Sequence, residues 1–220
     1  MTLQKKDFIE IEFTGKTKEG GIFDSNIKKD LEKARIEIEA KPFVFGLGEG
    51  MFLKGVEDFL INKEIGKYEI ELSPEKAFGN RNSKLIQLMP VKIFREQKLN
   101  PVPGILFNFD GRIAKVLSVS GGRVMVDFNN PIAGKVVVYS INVLRKIEDM
   151  NEKAKALIEF FFKRDFKFEI KDKKIMIEAE KGYNEFIKLF EGKFKEILGL
   201  DLDTKEVETK EENKKTEENK

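Results

Sequence analysis

The apolar residues of this 220-residue chain change period several times, and each change marks an element. Phe8, Ile9, Ile11 and Phe13 run as a strand, Lys18-Glu19-Gly20-Gly21 supplies glycines for a turn, and Ile22-Phe23 returns, which predicts a hairpin. Asp30 to Glu39 is helical in character at its start and alternates like a strand at Ile36 and Ile38, so it reads as a connector of open conformation. Phe43 and Phe45 then alternate with Val44 on a short strand, and Gly46, Gly48 and Gly50 let the chain turn sharply. Phe52, Leu53, Val56, Phe59 and Leu60 recur at helical spacing and predict a helix of about two to three turns with one face buried. A return strand passes through Tyr68, Ile70 and Leu72 and stops at Ser73-Pro74, where proline cannot continue a ladder.

From Lys84 the texture changes. Ser83 to Pro90 reads as a crossing strand, Pro90 to Glu96 as a helical turn and Asn100 to Gly104 as a loop. Three short strands follow, with Asp110-Gly111 and Gly121-Gly122 as hairpin turns, so residues 84–131 are expected to form a small all-β insert. Lys135 to Ile147 is expected as the last strand of the outer unit, which comprises residues 1–83 and 132–149. A third unit, over 150–200, opens near Asn151, where a cap-type residue precedes the helical stripe Ala154, Leu157, Ile158, Phe161 and Phe162. Phe166, Phe168 and Ile170 alternate into the turn Lys171-Asp172-Lys173-Lys174, and Ile175, Ile177 and Ala179 alternate back as a hairpin. Tyr183, Phe186, Ile187, Phe190, Phe194, Ile197 and Leu198 predict a second amphipathic helix stopped by Gly199. Such an α-β-β-α unit has little interior of its own, so part of its apolar surface should pack on the rest of the chain or on a second copy, the latter giving a homodimer through this unit. Residues 201–220 are charged and aperiodic and read as a disordered tail.

Composition narrows the chemistry. With 40% hydrophobic residues the chain can fill packed cores. No run approaches the roughly 18 apolar residues of a membrane span, and the first residues lack the apolar stretch and cleavage site of a signal peptide, so a cytoplasmic location without membrane partners is expected. There is no Cys and no His, which excludes disulfides, thiol chemistry and Ser-His or Cys-His triads; no metal and no cofactor are expected. The tail carries 8 acidic and 5 basic residues (5 − 8 = −3), so with a net charge of +2 residues 1–200 carry +5 (2 + 3 = 5). Spread over so much chain, that charge predicts no nucleic-acid partner. Gly46-x-Gly48-x-Gly50 does not complete a dinucleotide loop, because the third glycine position holds Met51 and the helix is too short to cross to a parallel strand.

Five short blocks fall in order along the chain: Phe13-Thr14-Gly15, Gly20 to Ser25, Pro42 to Gly48, Gly55-Val56-Glu57 and Ala77-Phe78-Gly79. In this register they resemble the FKBP-type peptidyl-prolyl isomerases. The run Val126 to Gly134 is similar to the Asp-x-Asn-x-x-x-Ala-Gly signature with which SlyD-type members leave their insert-in-flap domain, and the C-terminal extension looks like that of the long archaeal members. The resemblance implies an α+β fold in which an FKBP-like antiparallel sheet wraps a short helix, carrying the insert and the C-terminal unit. It implies a pocket lined by Phe13, Phe23, Asp24, Phe43, Phe52, Leu53, Val56, Ala77, Phe78 and Tyr139, with the Leu53 N–H donating to the carbonyl before the substrate proline. Three positions depart from the commonest form: Val56 stands where Trp is usual, Phe78 where Tyr is usual, and Phe13 lacks the hydroxyl that commonly orients the aspartate.

Such a pocket needs neither nucleophile nor proton. Rotation about a peptide bond crosses about 18–20 kcal/mol because resonance places charge on the planar amide oxygen. A water-poor aromatic cup disfavours that planar form, and lowering the barrier by about 4 kcal/mol accelerates exchange roughly a thousandfold. The expected partners are unfolded or nascent polypeptides containing proline. By resemblance the insert holds them, with Leu85, Ile86, Leu88, Met89, Ile93, Phe94 and Phe107 as contacts, some of which its own core requires. Two functions are thus expected: an isomerase assisted by a client-holding insert, or a holdase whose cup is vestigial.

Overall fold

A computed structural model describes residues 2–109 and 111–207. Strands β1 (Phe8–Thr17) and β2 (Ile22–Ser25) form the expected hairpin, followed by α1 (Lys28–Ala34), β3 (Phe43–Gly46), α2 (Lys54–Leu60) and β4 (Lys67–Leu72). Next come β5 (Ile86–Pro90), α3 (Val91–Glu96), β6 (Leu106–Phe109), β7 (Arg112–Ser120), β8 (Arg123–Asp127) and β9 (Val137–Ile147). The chain continues through α4 (Met150–Phe162), β10 (Phe168–Lys171), β11 (Lys174–Glu180), α5 (Asn184–Lys188), α6 (Glu191–Leu198) and β12 (Asp201–Val207). Three sheets result: β2-β1-β9-β4 with β3 paired to β1, β5-β8-β7-β6, and β10-β11-β12. The class is mixed α+β. Among the described residues no helix is long and apolar enough to cross a membrane.

The described residues divide into two compact units: one of 2–14, Ser25–Tyr68 and 140–207, the other of Gly15–Asp24 and Glu69–Tyr139, residue 110 apart. In the first, β1 and β3 pair antiparallel from Phe8↔Gly46 to Ile11↔Phe43. That register, with α2 supplying Val56 and Leu60, buries Phe8, Ile9, Ile11, Phe45 and Leu47 in one core. The open connector resolves into α1, whose Leu31 is buried and whose left-handed C-cap Arg35 (φ 55°) ends the helix. Ile36 and Ile38 form no strand, and Ile38 is exposed. Helix α2 is seven residues long and starts at Lys54, so Phe52 lies in the turn before it.

The C-terminal segment departs from the expected α-β-β-α order. The cap of α4 is Asp149, two residues before Asn151, which accepts the Glu152 N–H at 2.9 Å. The β10-β11 hairpin turns on Asp172 and Lys173, both left-handed (φ 50° and 60°). The predicted second helix breaks into α5 and α6 at Leu189-Phe190, where the Phe190 N–H donates three residues back to Ile187 O at 3.0 Å. The break sets the Phe190 ring 4.9 Å from Phe161 and 5.3 Å from Phe162. Residues 201–207 are not a disordered tail: they form β12, parallel to β11 from Lys174↔Asp201 to Glu180↔Val207. A backbone ladder needs little apolar content; Leu202 opposite Ile175 is buried, and ion pairs Lys174–Asp203 and Lys205–Glu178 occupy the other side. The remaining tail, 208–220, lies outside the described residues.

In the second unit, the helical turn expected at Pro90 to Glu96 within the otherwise β segment is helix α3. Its Phe94 is fully buried among Ala114, Val116, Val124 and Val126, with Met89, Phe107, Phe109 and Phe128 packed around it. Phe94 is therefore a core residue and not a client contact. The crossing strand begins as a single 3₁₀ turn at Ser83–Leu85 before β5, and Gly121 and Gly122, both left-handed, turn β7 into β8. Residues near 80 and 130, where the chain enters and leaves this segment, are tied together. Asn82 N–H donates to Asn129 Oδ1 at 2.8 Å, Asn129 Nδ2 donates to Asn82 O at 3.0 Å and to Asp127 Oδ1 at 2.6 Å, and Arg81 pairs with Asp127. Gly134 N–H donates to Gly79 O at 2.8 Å. The Asp-x-Asn-x-x-x-Ala-Gly run thus has a local structural reason.

Candidate active site

In the first unit four phenylalanines pack ring to ring. Phe13 meets Phe52 edge-on at 4.9 Å and Phe43 at 6.4 Å, Phe43 stacks on Phe45 at 5.4 Å, and Phe45 lies 5.5 Å from Phe52. Phe13 and Phe45 are buried, whereas Phe43, Phe52 and Leu53 are half-buried and keep surface open. Val56 is fully buried behind them in sequence on α2. Phe45 was not among the expected site residues, although its alternation with Phe43 marked the strand. It is the packing partner of Phe43 and Phe52.

This arrangement rests on one buried carboxylate. Gly48 and Gly50 adopt φ of 78° and 71°, a region that glycine alone enters at no steric cost, and so turn their N–H groups inward. Glu57 Oε2 accepts both, at 2.8 and 3.1 Å, while Oε1 accepts the Phe52 N–H at 2.7 Å. Glu57 is 2% exposed. The Gly-x-Glu block therefore closes the loop that carries Phe52 and Leu53 onto the start of its own helix. Asn26, which the sequence reading passed over, does similar work for Phe13: it accepts the Phe13 N–H at 2.7 Å and donates to Ile11 O at 2.9 Å and Lys41 O at 3.1 Å. Nothing in a lone Asn after Asp-Ser announces that role. Helix α4 packs on β3, and its Glu159 pairs with Lys41 at 3.4 Å.

The second unit holds the other expected residues. Phe23 meets Phe78 edge-on at 5.4 Å and Tyr139 at 5.8 Å. A Cβ at Gly15 would fall 2.9 Å from Phe23 Cζ and from the Tyr139 ring, so both rings lie directly on the backbone at this glycine. Tyr139 is buried; burial first, and the Asp24 charge second, push its phenol above the ordinary range. Ala77, Phe78 and Asp24 are half-buried, and Ala77 closes the short turn Pro74–Lys76. Of the expected insert contacts, Leu88 is exposed, Leu85, Ile86, Met89, Ile93 and Phe107 are half-buried, and Phe94 is enclosed.

In each unit the half-buried rings offer apolar contact, with Asp24 beside Tyr139 in the second. Comparison with known proteins gives these features a family. A model of the FKBP-type peptidyl-prolyl cis-trans isomerase matches residues 1–94, and a model of the FKBP26 IF domain matches residues 87–132. The short-type peptidyl-prolyl cis-trans isomerase of Methanocaldococcus jannaschii is 30% identical over 145 residues, covering 64% of this chain and 92% of that protein. The chain belongs to the FKBP-type peptidyl-prolyl cis-trans isomerases. The match to the IF-domain model adds an insert-in-flap domain to that class. The SlyD isomerase of Helicobacter pylori is 28% identical over 127 residues, covering 56% of this chain and 63% of that protein. The FKBP-type 16 kDa isomerase of Escherichia coli is 33% identical over 110 residues, covering 47% and 73%.

Proposed function

We propose that this isomerase is a cytoplasmic folding catalyst that rotates X-Pro bonds of unfolded or nascent polypeptides, with the inserted segment holding the client. The observation that carries the reading is the fixed presentation of half-open aromatic rings: Phe43 and Phe52 braced by Phe45 and the Glu57-closed loop, and Phe23, which lies on Gly15 with Tyr139, meeting Phe78 edge-on. Phe13, Phe43, Phe52, Leu53 and Val56, and likewise Phe23, Asp24, Ala77, Phe78 and Tyr139, are the residues through which we assign this action. Rings exclude water from the amide and disfavour its charge-separated planar form, while the Leu53 N–H donates to the carbonyl before proline and orients it. Phe78 brings no hydroxyl to the substrate, so at that position binding depends on apolar contact.

Client holding falls to Leu85, Ile86, Leu88, Met89, Ile93 and Phe107 as the contacts first expected, Phe94 being withdrawn to the core. A homodimer through the C-terminal segment is part of the proposal, because Leu189 is 79% and Phe186 45% exposed on α5 and the residue after it. Sedimentation of the full chain tests it: a monomer at micromolar concentration refutes the dimer. A second reading, a holdase with a vestigial isomerase site, draws on Val56 and Phe78 in place of the family's usual Trp and Tyr. Peptide exchange and proline-limited refolding, measured for the full chain and for a variant with 84–131 replaced by a short loop, separate the two. Catalysis of peptide exchange by both proteins, with refolding catalysis lost in the variant, is the expected result. Suppressed aggregation without accelerated exchange in either assay would establish the holdase.

A further inference from the structure

The sheet β5-β8-β7-β6 is apolar on both faces. One face holds the Phe94 core. The pairs Leu88↔Met125, Leu106↔Lys115 and Asn108↔Ile113 place Leu88, Met125, Leu106 and Ile113 on the opposite side, where they are 55%, 40%, 53% and 57% exposed. Toward the β6-β7 end a cleft of about 280 Å³ is lined by Leu106, Ile113 and Leu117 together with Lys115, Lys135 and Arg81. Its carboxylate, Asp127, is nearly buried and paired with Arg81, and Lys115 lies opposite it across the ladder. Residues 84–131 carry 7 basic and 3 acidic side chains (7 − 3 = +4), against +2 for the whole chain, so the remainder is −2 (2 − 4).

We propose that this face selects unfolded segments in which apolar residues alternate with acidic ones. The inference rests on the client-holding reading and adds the chemistry of the client. An extended segment presents alternate side chains to opposite sides, so its apolar residues can lie on Leu106, Ile113 and Met125 while the long, flexible Lys115 and Lys135 side chains reach past its edge to the intervening carboxylates. The excess positive charge attracts acidic segments and repels basic ones within a Debye length, an effect that salt screens. Leu117, at the bulge between Val116 and Ser118, widens the strand where the cleft opens.

The test uses the full chain and three dye-labelled peptides with identical apolar positions and Glu, Gln or Lys between them, followed by fluorescence anisotropy at low and high salt. The Glu peptide should bind roughly tenfold more tightly than the Lys peptide at low salt, with the Gln peptide between them, and the gap should close at high salt. Lys115→Glu combined with Lys135→Glu should reverse the order. Leu106→Asn with Ile113→Asn, both exposed positions whose folding circular dichroism checks, should weaken all three peptides and leave the order intact. Equal affinities in the parent protein, an order unmoved by the lysine changes, or undiminished binding in the asparagine variant would each overturn the selection while leaving client holding standing. If no peptide binds, client holding itself fails and the inference with it.

Discussion

Replacing Glu57 by Gln changes one heavy atom and removes the acceptor pattern on which the glycine loop depends. The carboxylate accepts three N–H groups, from Gly48, Gly50 and Phe52. An amide has one acceptor oxygen, so whichever way it turns, one or two of these donors face an NH₂ group inside a site 2% exposed. Hydrogen bonds to a charged group contribute about 1.5–3 kcal/mol each, and a buried donor left unpaired costs about 1–3 kcal/mol. Losing one or two of the three bonds should therefore cost about 2–4 kcal/mol in urea unfolding, read as a lower midpoint at unchanged slope. The loop also carries Phe52 and Leu53, so catalysis should fall further than stability requires. At a temperature where the variant is fully folded, kcat/KM for a short X-Pro peptide should drop by roughly tenfold or more, because a misplacement of about 1 Å can cost that much. Glu57→Asp, which keeps the charge but withdraws it by one methylene, should recover less than half of the loss. Stability within about 0.5 kcal/mol of the parent together with unchanged kcat/KM in Glu57→Gln would refute the reasoning.

Gly15→Ala should cost about 1–3 kcal/mol and depress peptide exchange, since the new methyl meets Phe23 and Tyr139 at 2.9 Å; an unaltered near-ultraviolet spectrum and rate would contradict that packing. Tyr139 links stability to alkaline pH. Its folded-state value is raised above the unfolded phenol value of about 10, so its contribution is complete below pH ~10 and declines as pH rises toward the folded value, by about 1.4 kcal/mol per unit. The difference in stability between the parent and Tyr139→Phe should accordingly be flat up to about pH 10 and shrink above it, and a difference that grows instead would reverse the sign of the argument. Leu202→Ala should destabilise the C-terminal segment by about 2 kcal/mol and lower amide protection in β11, whereas a residue in a disordered tail would change neither.

Much of the candidate site's local structure was legible because its constraints are local. Alternation of Phe43 and Phe45 around Val44, glycines at the loop and a helical stripe from Val56 to Leu60 each name one conformation within a few residues, and five blocks in order identify the family. Ring positions 13, 23, 43, 52, 78 and 139 came from that register, and the rings do fall into packed clusters within each unit. What failed depended on partners distant in sequence. β12 carries only one buried apolar side chain, Leu202, so its charged sequence resembles a tail; the ladder from β11, earlier in the chain, is what orders it. Phe94 looked like a client contact because composition cannot tell which face of a small sheet a helix will cover.

By itself, then, the sequence determined the strands, turns and helices whose periods and glycines act over a few residues, and the family whose motifs those elements spell. Tertiary structure decided the division between core and open surface: Phe94 inside and Leu106, Ile113 and Met125 outside, although all four are apolar. It also decided which polar groups carry the site, Glu57 closing the loop and Asn26 holding Phe13, because a hydrogen bond is fixed by distance and direction, and neither is written in the spacing of residues along a chain.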